Sequence, residues 1–245
     1  NSTGNKQDNT FNTYVEAFTS GKVSRYTPIY IVLNQEISEE VLTKVDQLPK
    51  AFRIEPEVKG TFIYENNHTV VFKPAQSFEC NKTYTVTADL SKWFEVTDKD
   101  RSFSFSFTTF PLTFKAYQQS MDINPKNENN YDVVCSLFTP DREQPEMVES
   151  VINCSEKVEK QWKHSPDGRK HEVTLTVPAT IERERIIHLS VGKNKLNLPE
   201  EDLLSITIPN QNDFKVYDVR LQHDPESYVE VVFTKKLDES QDMRG

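Results

Sequence analysis

The residues of this chain best suited to chemistry are five histidines, His68, His164, His171, His188 and His223, and three cysteines, Cys80, Cys135 and Cys154. Acyl transfer needs a Ser or Cys beside a His that an acid orients, and structural zinc needs Cys and His in short paired spacings. Neither pattern occurs. The histidines fall singly in segments that read as strands and turns, outside any strand-to-helix elbow or metal motif, and no cysteine has a second ligand at zinc spacing. The sequence therefore assigns no catalytic, cofactor-binding or metal residue, and solvated or packing roles are expected for all five histidines. Three cysteines are too few for a disulfide framework. Cys135 and Cys154 share one module and are open to pairing, with buried free thiols the preferred reading.

Other reactive groupings fare no better. The chain has six glycines, and none form a phosphate-cradling pattern. Glu182 and Glu184 place two carboxylates on one side of a strand or turn, but an acidic chain produces such pairs by chance. The run "ERER" from Glu182 reads better as a solvated strand edge, guarded by charge against wrong pairing. Trp93, Phe94, Trp162 and Tyr117 could offer stacking faces to a sugar. In "SKWFEV", however, the Trp follows a predicted strand, where a core or junction role is the common fate.

The formal net charge of -9 argues against nucleic acid or an anionic membrane as a partner, since both are bound through clustered Lys and Arg. No apolar run approaches the roughly 20 residues that span a bilayer. The chain opens on the polar stretch "NSTGNKQDNT", without Met. Such a segment cannot build a core, so residues 1–13 are expected to form a flexible leader of a trimmed or processed export product.

What must position these residues is a repeat. "PIYIVLNQEISEEVLTKV", "DVVCSLFTPDREQPEMVESV" and "VEVVFTKKLDESQDM" are each an apolar strand running into a short acidic segment. "HTVVFKPAQSFECNKTYTVTADL" and "HEVTLTVPATIERERIIHLSVG" follow the first two; in each a strand ends in proline, a polar turn follows, and an alternating strand returns. Pro74 and Pro178 suit those ends because proline cannot donate to a continuing ladder. "FSFSFTTFP" and "LLSITIP" then close the units at Pro111 and Pro209, and the chain restarts with "LTFKAY" and "FKVYDV".

Within the first unit, Phe103, Phe105 and Phe107 alternate with Ser104 and Ser106, and Tyr84 and Val86 with Thr85 and Thr87. Period two marks a strand with one buried face. Such runs predict seven strands, near 14–18, 28–33, 51–54, 58–64, 69–73, 83–88 and 103–109, the number expected of an immunoglobulin-like sandwich. A short helix is predicted from Ser38, with Val41, Leu42, Val45 and Leu48 on one face. In the second unit "HSPDGRK" reads as a tight turn joining a strand that contains Trp162 to "HEVTLTV". The expected fold is all-β: tandem immunoglobulin-like β-sandwich modules, with a short helix in the first. The boundaries are a leader at 1–13, modules at 14–111 and 112–210, and a truncated third module, a hairpin, at 211–245. With Val216, Val219 and Leu221 in its first strand and "VVF" in its second, that hairpin is expected to dock on the second module or to pair with another chain.

The succession "YTPIYIVLNQEIS", "VKGTFIYENNHTVVFKPAQSFECNKTYTVTADL" and "FSFSFTTFPLTFKA" resembles the N-terminal region of bacterial alpha-2-macroglobulin family proteins of the Bacteroidetes type, in which Ig-like modules precede the macroglobulin domains. The closing "VEVVFTKKLDESQDMRG" looks like the start of the next module in those proteins. The resemblance implies a protease trap, in which a target protease cuts a bait segment and is enclosed. A capturing thioester needs C-x-E-Q, whereas the cysteines here read "CNKT", "CSLF" and "CSEK", and no bait-like segment occurs. The resemblance thus implies a non-catalytic spacer that meets proteases only through the rest of its parent protein. It also implies export to the periplasm or outer-membrane surface, with membrane contact only through a lipid anchor preceding Asn1. The alternative reading is a cell-surface string of modules that adheres to a protein or glycan.

Overall fold

Two sheets of four strands face each other in the first of the two units into which the chain divides, between Leu112 and Thr113. The computed structural model describes residues 13–180, 182–192, 198–238 and 240. In chain order the first unit contains β1 (Val15–Phe18), β2 (Gly21–Val23), β3 (Ile29–Leu33), α1 (Glu39–Leu42), β4 (Phe52–Glu55), β5 (Gly60–Tyr64), β6 (Thr69–Pro74), β7 (Thr83–Asp89) and β8 (Ser102–Thr109). One sheet runs β1-β3-β6-β5 and the other β2-β8-β7-β4.

Alternation explains the layering. Ile29, Ile31 and Leu33 of β3 point inward and are buried, as are Tyr84 and Val86 of β7 and Phe105 and Phe107 of β8. The opposite face of β7 and β8 is a ladder of hydroxyls. Thr83 meets Thr108 at 2.9 Å, Thr85 meets Ser106 at 3.0 Å, and Thr87 meets Ser104 at 2.8 Å. Each pair sits directly across the strands, where short polar side chains reach one another.

Two details differ from the sequence reading. An eighth strand, β2, pairs in parallel with β8; its three residues "GKV" are too few to show a period. The predicted helix is present but short: Ser38 caps it through its side chain, it ends at Thr43, and a 3-10 turn holding Pro49 follows over Val45–Ala51. Lys44, at φ -89° and ψ 47°, breaks the helical stripe. Leu48 still reaches the core, Val41 and Leu42 are half-buried, and Val45 faces solvent.

The second unit contains β9 (Lys115–Ile123), β10 (Asn130–Phe138), α2 (Pro145–Val151), β11 (Ile152–Cys154), β12 (Glu159–His164), β13 (Lys170–Pro178), β14 (Arg185–Val191), β15 (Glu201–Ile208), β16 (Val216–Gln222) and β17 (Tyr228–Phe233). Its sheets run β12-β13-β10-β9 and β11-β14-β15. These orders repeat β5-β6-β3-β1 and β4-β7-β8 strand for strand, without a counterpart of β2. Four strands against three is the arrangement of constant-type immunoglobulin domains. The fold is thus all-β with tandem Ig-like sandwiches.

A helix also sits in the second unit, at the place α1 takes in the first. Pro145 opens it, Glu146 lies in its first turn, and Val148 and Val151 are buried. Pro and Glu at a helix start were readable signals that the acidic look of the segment concealed. The "ERER" run is a bend rather than a strand edge: β14 begins only at Arg185, whose guanidinium forks onto Glu156 at 2.9 and 3.1 Å.

β16 and β17 form a separate two-stranded sheet. Tyr131 of β10 donates to the Thr234 carbonyl at 2.9 Å, and the buried Thr234 hydroxyl donates to the Asp213 carbonyl at 2.6 Å. Tyr217 donates to the Met121 carbonyl. Arg220 reaches Asp122 at 2.9 Å and Asp218 at 2.7 Å, with Glu230 at 3.6 Å. These bonds hold one face of the hairpin to β9 and β10.

Candidate functional site

One pair of the residues singled out for chemistry comes together in space. The turn between β12 and β13 has Gly168 in the left-handed region at φ 68°, and Ser165 and Asp167 hydrogen-bond within it. This closure fixes a register that sets His164 opposite His171. Their Nδ1 atoms lie 2.8 Å apart, and His164 Nε2 lies 3.1 Å from Glu149 Oε1 of α2. Trp162 stacks on the His164 ring at 5.7 Å.

The tautomers follow from the partners. A carboxylate can only accept, so His164 Nε2–H donates to Glu149 and His164 Nδ1 is left as an acceptor. His171 Nδ1–H then donates to it, and His171 Nε2 is buried with no hydrogen-bond partner. Burial, and next the neighbouring His164, hold the His171 imidazole below its ordinary pKa. The arrangement is a carboxylate–imidazole–imidazole chain whose far end is sealed in the core. With Nε2 sealed and unprotonated, no proton can be resupplied at that end, and His171 offers no open face to a substrate, so the cluster ties α2 to the β12–β13 edge.

The other histidines are dispersed. His68 bonds the Leu33 carbonyl at 3.1 Å, His188 meets Ser205 at 3.1 Å, and His223 meets Ser227 at 3.3 Å. No disulfide forms: Cys80, Cys135 and Cys154 are all free thiols. Burial, with Cys154 nearby, pushes the Cys135 thiol up to about 12, which leaves it protonated and unreactive at neutral pH. Among the described residues no three His, Cys, Asp or Glu side chains are grouped to hold a metal ion. Glu184 lies 3.4 Å from Lys215.

The aromatic candidates divide. Trp93 is buried, donates to the Tyr64 hydroxyl at 3.2 Å and packs 5.4 Å from Phe52. Phe94 stacks on Tyr14 at 5.6 Å. Neither presents a free face of the kind a sugar needs. Tyr117 is exposed and meets the exposed Phe138 edge-on at 6.1 Å, on the outer face of β9 and β10.

The hairpin, expected to dock on the second module or to pair with another chain, is held to β9 through Tyr217 and Arg220, and its apolar face stays exposed. Val219 pairs directly with Val231 and Leu221 with Val229, and all four face solvent. The signal was present as period-two apolar spacing in both strands. What could not be read was that this face, rather than the opposite one, is left uncovered.

Among solved structures the chain is similar to an LD transpeptidase in complex with imipenem, at 11% identity over 62% of this chain and 65% of that one, TM-score 0.29. It is similar also to L,D-transpeptidase 3 from Mycobacterium tuberculosis, at 11% identity over 77% and 81%, TM-score 0.31. A third is the N-terminal part of the bacterial S-layer protein SbsC, at 13% identity over 80% and 43%, TM-score 0.27. The chain spans 65% of the length of the first of these. No curated protein matches it. Among the described residues no helix is long and apolar enough to cross a membrane. The family model for the bacterial Ig-like domain matches residues 10–109, the stretch that holds both sheets of the first unit.

Proposed function

We propose that the chain is a non-catalytic spacer of an exported bacterial protein, two Ig-like modules that set the distance between an envelope attachment and a working region elsewhere in the same polypeptide. The observation that carries this reading is the repetition of one sheet order in two successive units. In both, the inward side chains of the paired strands fill a core. The finer form of the proposal, resting on the sequence resemblance alone, makes the parent an alpha-2-macroglobulin-type protease trap of the periplasm or cell surface, with proteases as partners of its remaining part and lipid anchoring ahead of Asn1.

The test is to incubate the full-length parent protein with a panel of endopeptidases. A trap leaves the protease active on small peptide substrates while blocking its access to large proteins. Inhibition of both, or of neither, sinks the trap. Removing the two modules should then leave trapping intact and alter only surface display, measured by accessibility of the parent on whole cells; loss of trapping would sink the spacer.

A second reading has one observation in its favour, the exposed Tyr117–Phe138 pair. A glycan or protein ligand stacking there would make the modules adhesive. Glycan-array binding that vanishes in Tyr117→Ala and persists in Trp93→Phe would favour it over the spacer.

A further inference from the structure

Among the described residues of the second unit, the hairpin of β16 and β17 has an edge with no strand beside it and an apolar face in solvent, and the first unit shows what such a surface takes. "IYIVLNQEI" from Ile29 and "VEVVFTKKL" from Val229 superpose without a gap, pairing Ile29 with Val229, Ile31 with Val231, Leu33 with Phe233 and Ile37 with Leu237. In the first unit these four inward residues are 3%, 2%, 0% and 2% exposed. In the hairpin Val229, Val231 and Leu237 are 60%, 43% and 38% exposed, while Phe233 is half-buried and stacks on Phe214 at 5.1 Å. Val219 and Leu221 beside them are each 61% exposed.

The local devices correspond as well. β1 pairs antiparallel with β3, and β16 with β17. Past the strand, Ser38 accepts the N–H of Val41, three residues on, and Asp238, at the same offset from its strand, accepts the N–H of Ser240, two residues on, at 2.9 Å. The environments diverge on the far side. The second edge of β3 is hydrogen-bonded to β6, with Ile29 opposite Phe72 and Ile31 opposite Val70, and the second sheet of the unit covers its face. The second edge of β17 has no strand beside it among the described residues. Side chains that are inward by pattern and outward in fact lack half of their sandwich.

We propose that β16 and β17 are the first two strands of a third Ig-like module in the same polypeptide. Its remaining strands pair with the open edge of β17 and lay an apolar sheet over Val219, Leu221, Val229 and Val231. The proposal rests on the modular reading of the chain but is independent of the protease trap, so a failed trapping assay leaves it standing. Its occupant is an antiparallel strand followed by alternating apolar strands, in the order that β6, β7 and β8 supply in the first unit. The anchored face, with Tyr217 and Arg220 against Met121 and Asp122, then serves as the joint between the second and third modules.

The experiment compares hydrogen exchange in the 245-residue chain and in the full-length parent protein. Amides of residues 228–233 should gain on the order of 100-fold or more in protection in the parent, as a frayed edge becomes a central strand. Val231→Lys should cancel that gain while leaving exchange in residues 29–208 unchanged, and Val231→Thr should preserve most of it. Unchanged protection of 228–233 in the parent would overturn the proposal. So would a dimer of the 245-residue chain in sedimentation equilibrium that Val231→Lys abolishes, because the face would then belong to a second copy.

Discussion

The core of the first unit adds a set of packed rings to its branched aliphatics, whereas that of the second is mostly aliphatic. Phe52 stacks on Phe62 at 4.4 Å, Phe62 meets Phe72 at 4.6 Å, Phe78 meets Tyr84 at 4.9 Å, and Phe107 lies against both of the latter. At corresponding positions β10, β13, β14 and β15 carry Val133, Leu137, Val173, Leu175, Val177, Ile187, Leu189, Ile206 and Ile208, all fully buried. Tyr131, a fully buried ring there, uses its hydroxyl to hold Thr234. The same strand order is therefore reached with different side-chain volumes. Alternation and punctuation specify the topology, and the choice of side chain decides how each core responds to damage.

The largest way to break the comparison is Phe107→Ala, which removes a ring packed on two others. It should cost about 3–5 kcal/mol. In calorimetry only the transition of the first unit should move; a common shift of both would show that the units do not melt separately. Leu175→Ala in the second unit should cost about 3 kcal/mol, and urea unfolding should place that loss in the second transition alone. Arg220→Ala leaves Asp122 and Asp218 without their shared cation. It should weaken the hairpin by about 2 kcal/mol, seen as faster exchange over residues 216–233 and not in either core.

A smaller effect depends on pH and should separate the two units. His171 is held neutral in the folded state, so the unfolded chain binds its proton more readily. Stability from this group is complete above about pH 6.5 and is lost as pH falls toward the depressed folded value. The denaturation midpoint of the second unit should therefore drop on acidification from pH 7 to pH 5 more than that of the first, and His171→Leu should flatten that difference. An unchanged slope in the variant would remove His171 as the cause. Smallest of all, Val231→Thr should change the stability of the 245-residue chain by no more than about 0.5 kcal/mol, because its side chain is already in water; a larger loss in thermal melting would mean that the hairpin face is covered.

The strands that sequence made legible are those with a strict period. Phe103, Phe105 and Phe107 announced β8, Pro74 and Pro178 marked the ends of β6 and β13, and "PDG" marked the β12–β13 turn. Elements set by long-range pairing stayed hidden. β2 exists because β8 offers a parallel edge, and no local pattern encodes that. The meeting of His164 and His171 depends on a cross-strand register, and the burial of Nε2 on what lies over it. Nothing in the sequence shows that the stripe stops before Val45, because the break at Lys44 is a backbone event without a Gly or Pro to signal it. For the hairpin, period two identified two faces but could not say which one Tyr217 and Arg220 would anchor.

The hydroxyl ladder on β7 and β8 has a consequence for what the first module refuses to do. Its Thr and Ser side chains bond across the strands to one another, so each hydroxyl facing outward has spent part of its hydrogen-bonding capacity internally. The rungs carry no charge to attract an ion and little apolar area to attract another sheet. A surface of that kind is chemically quiet, offering little to an ion or to another sheet.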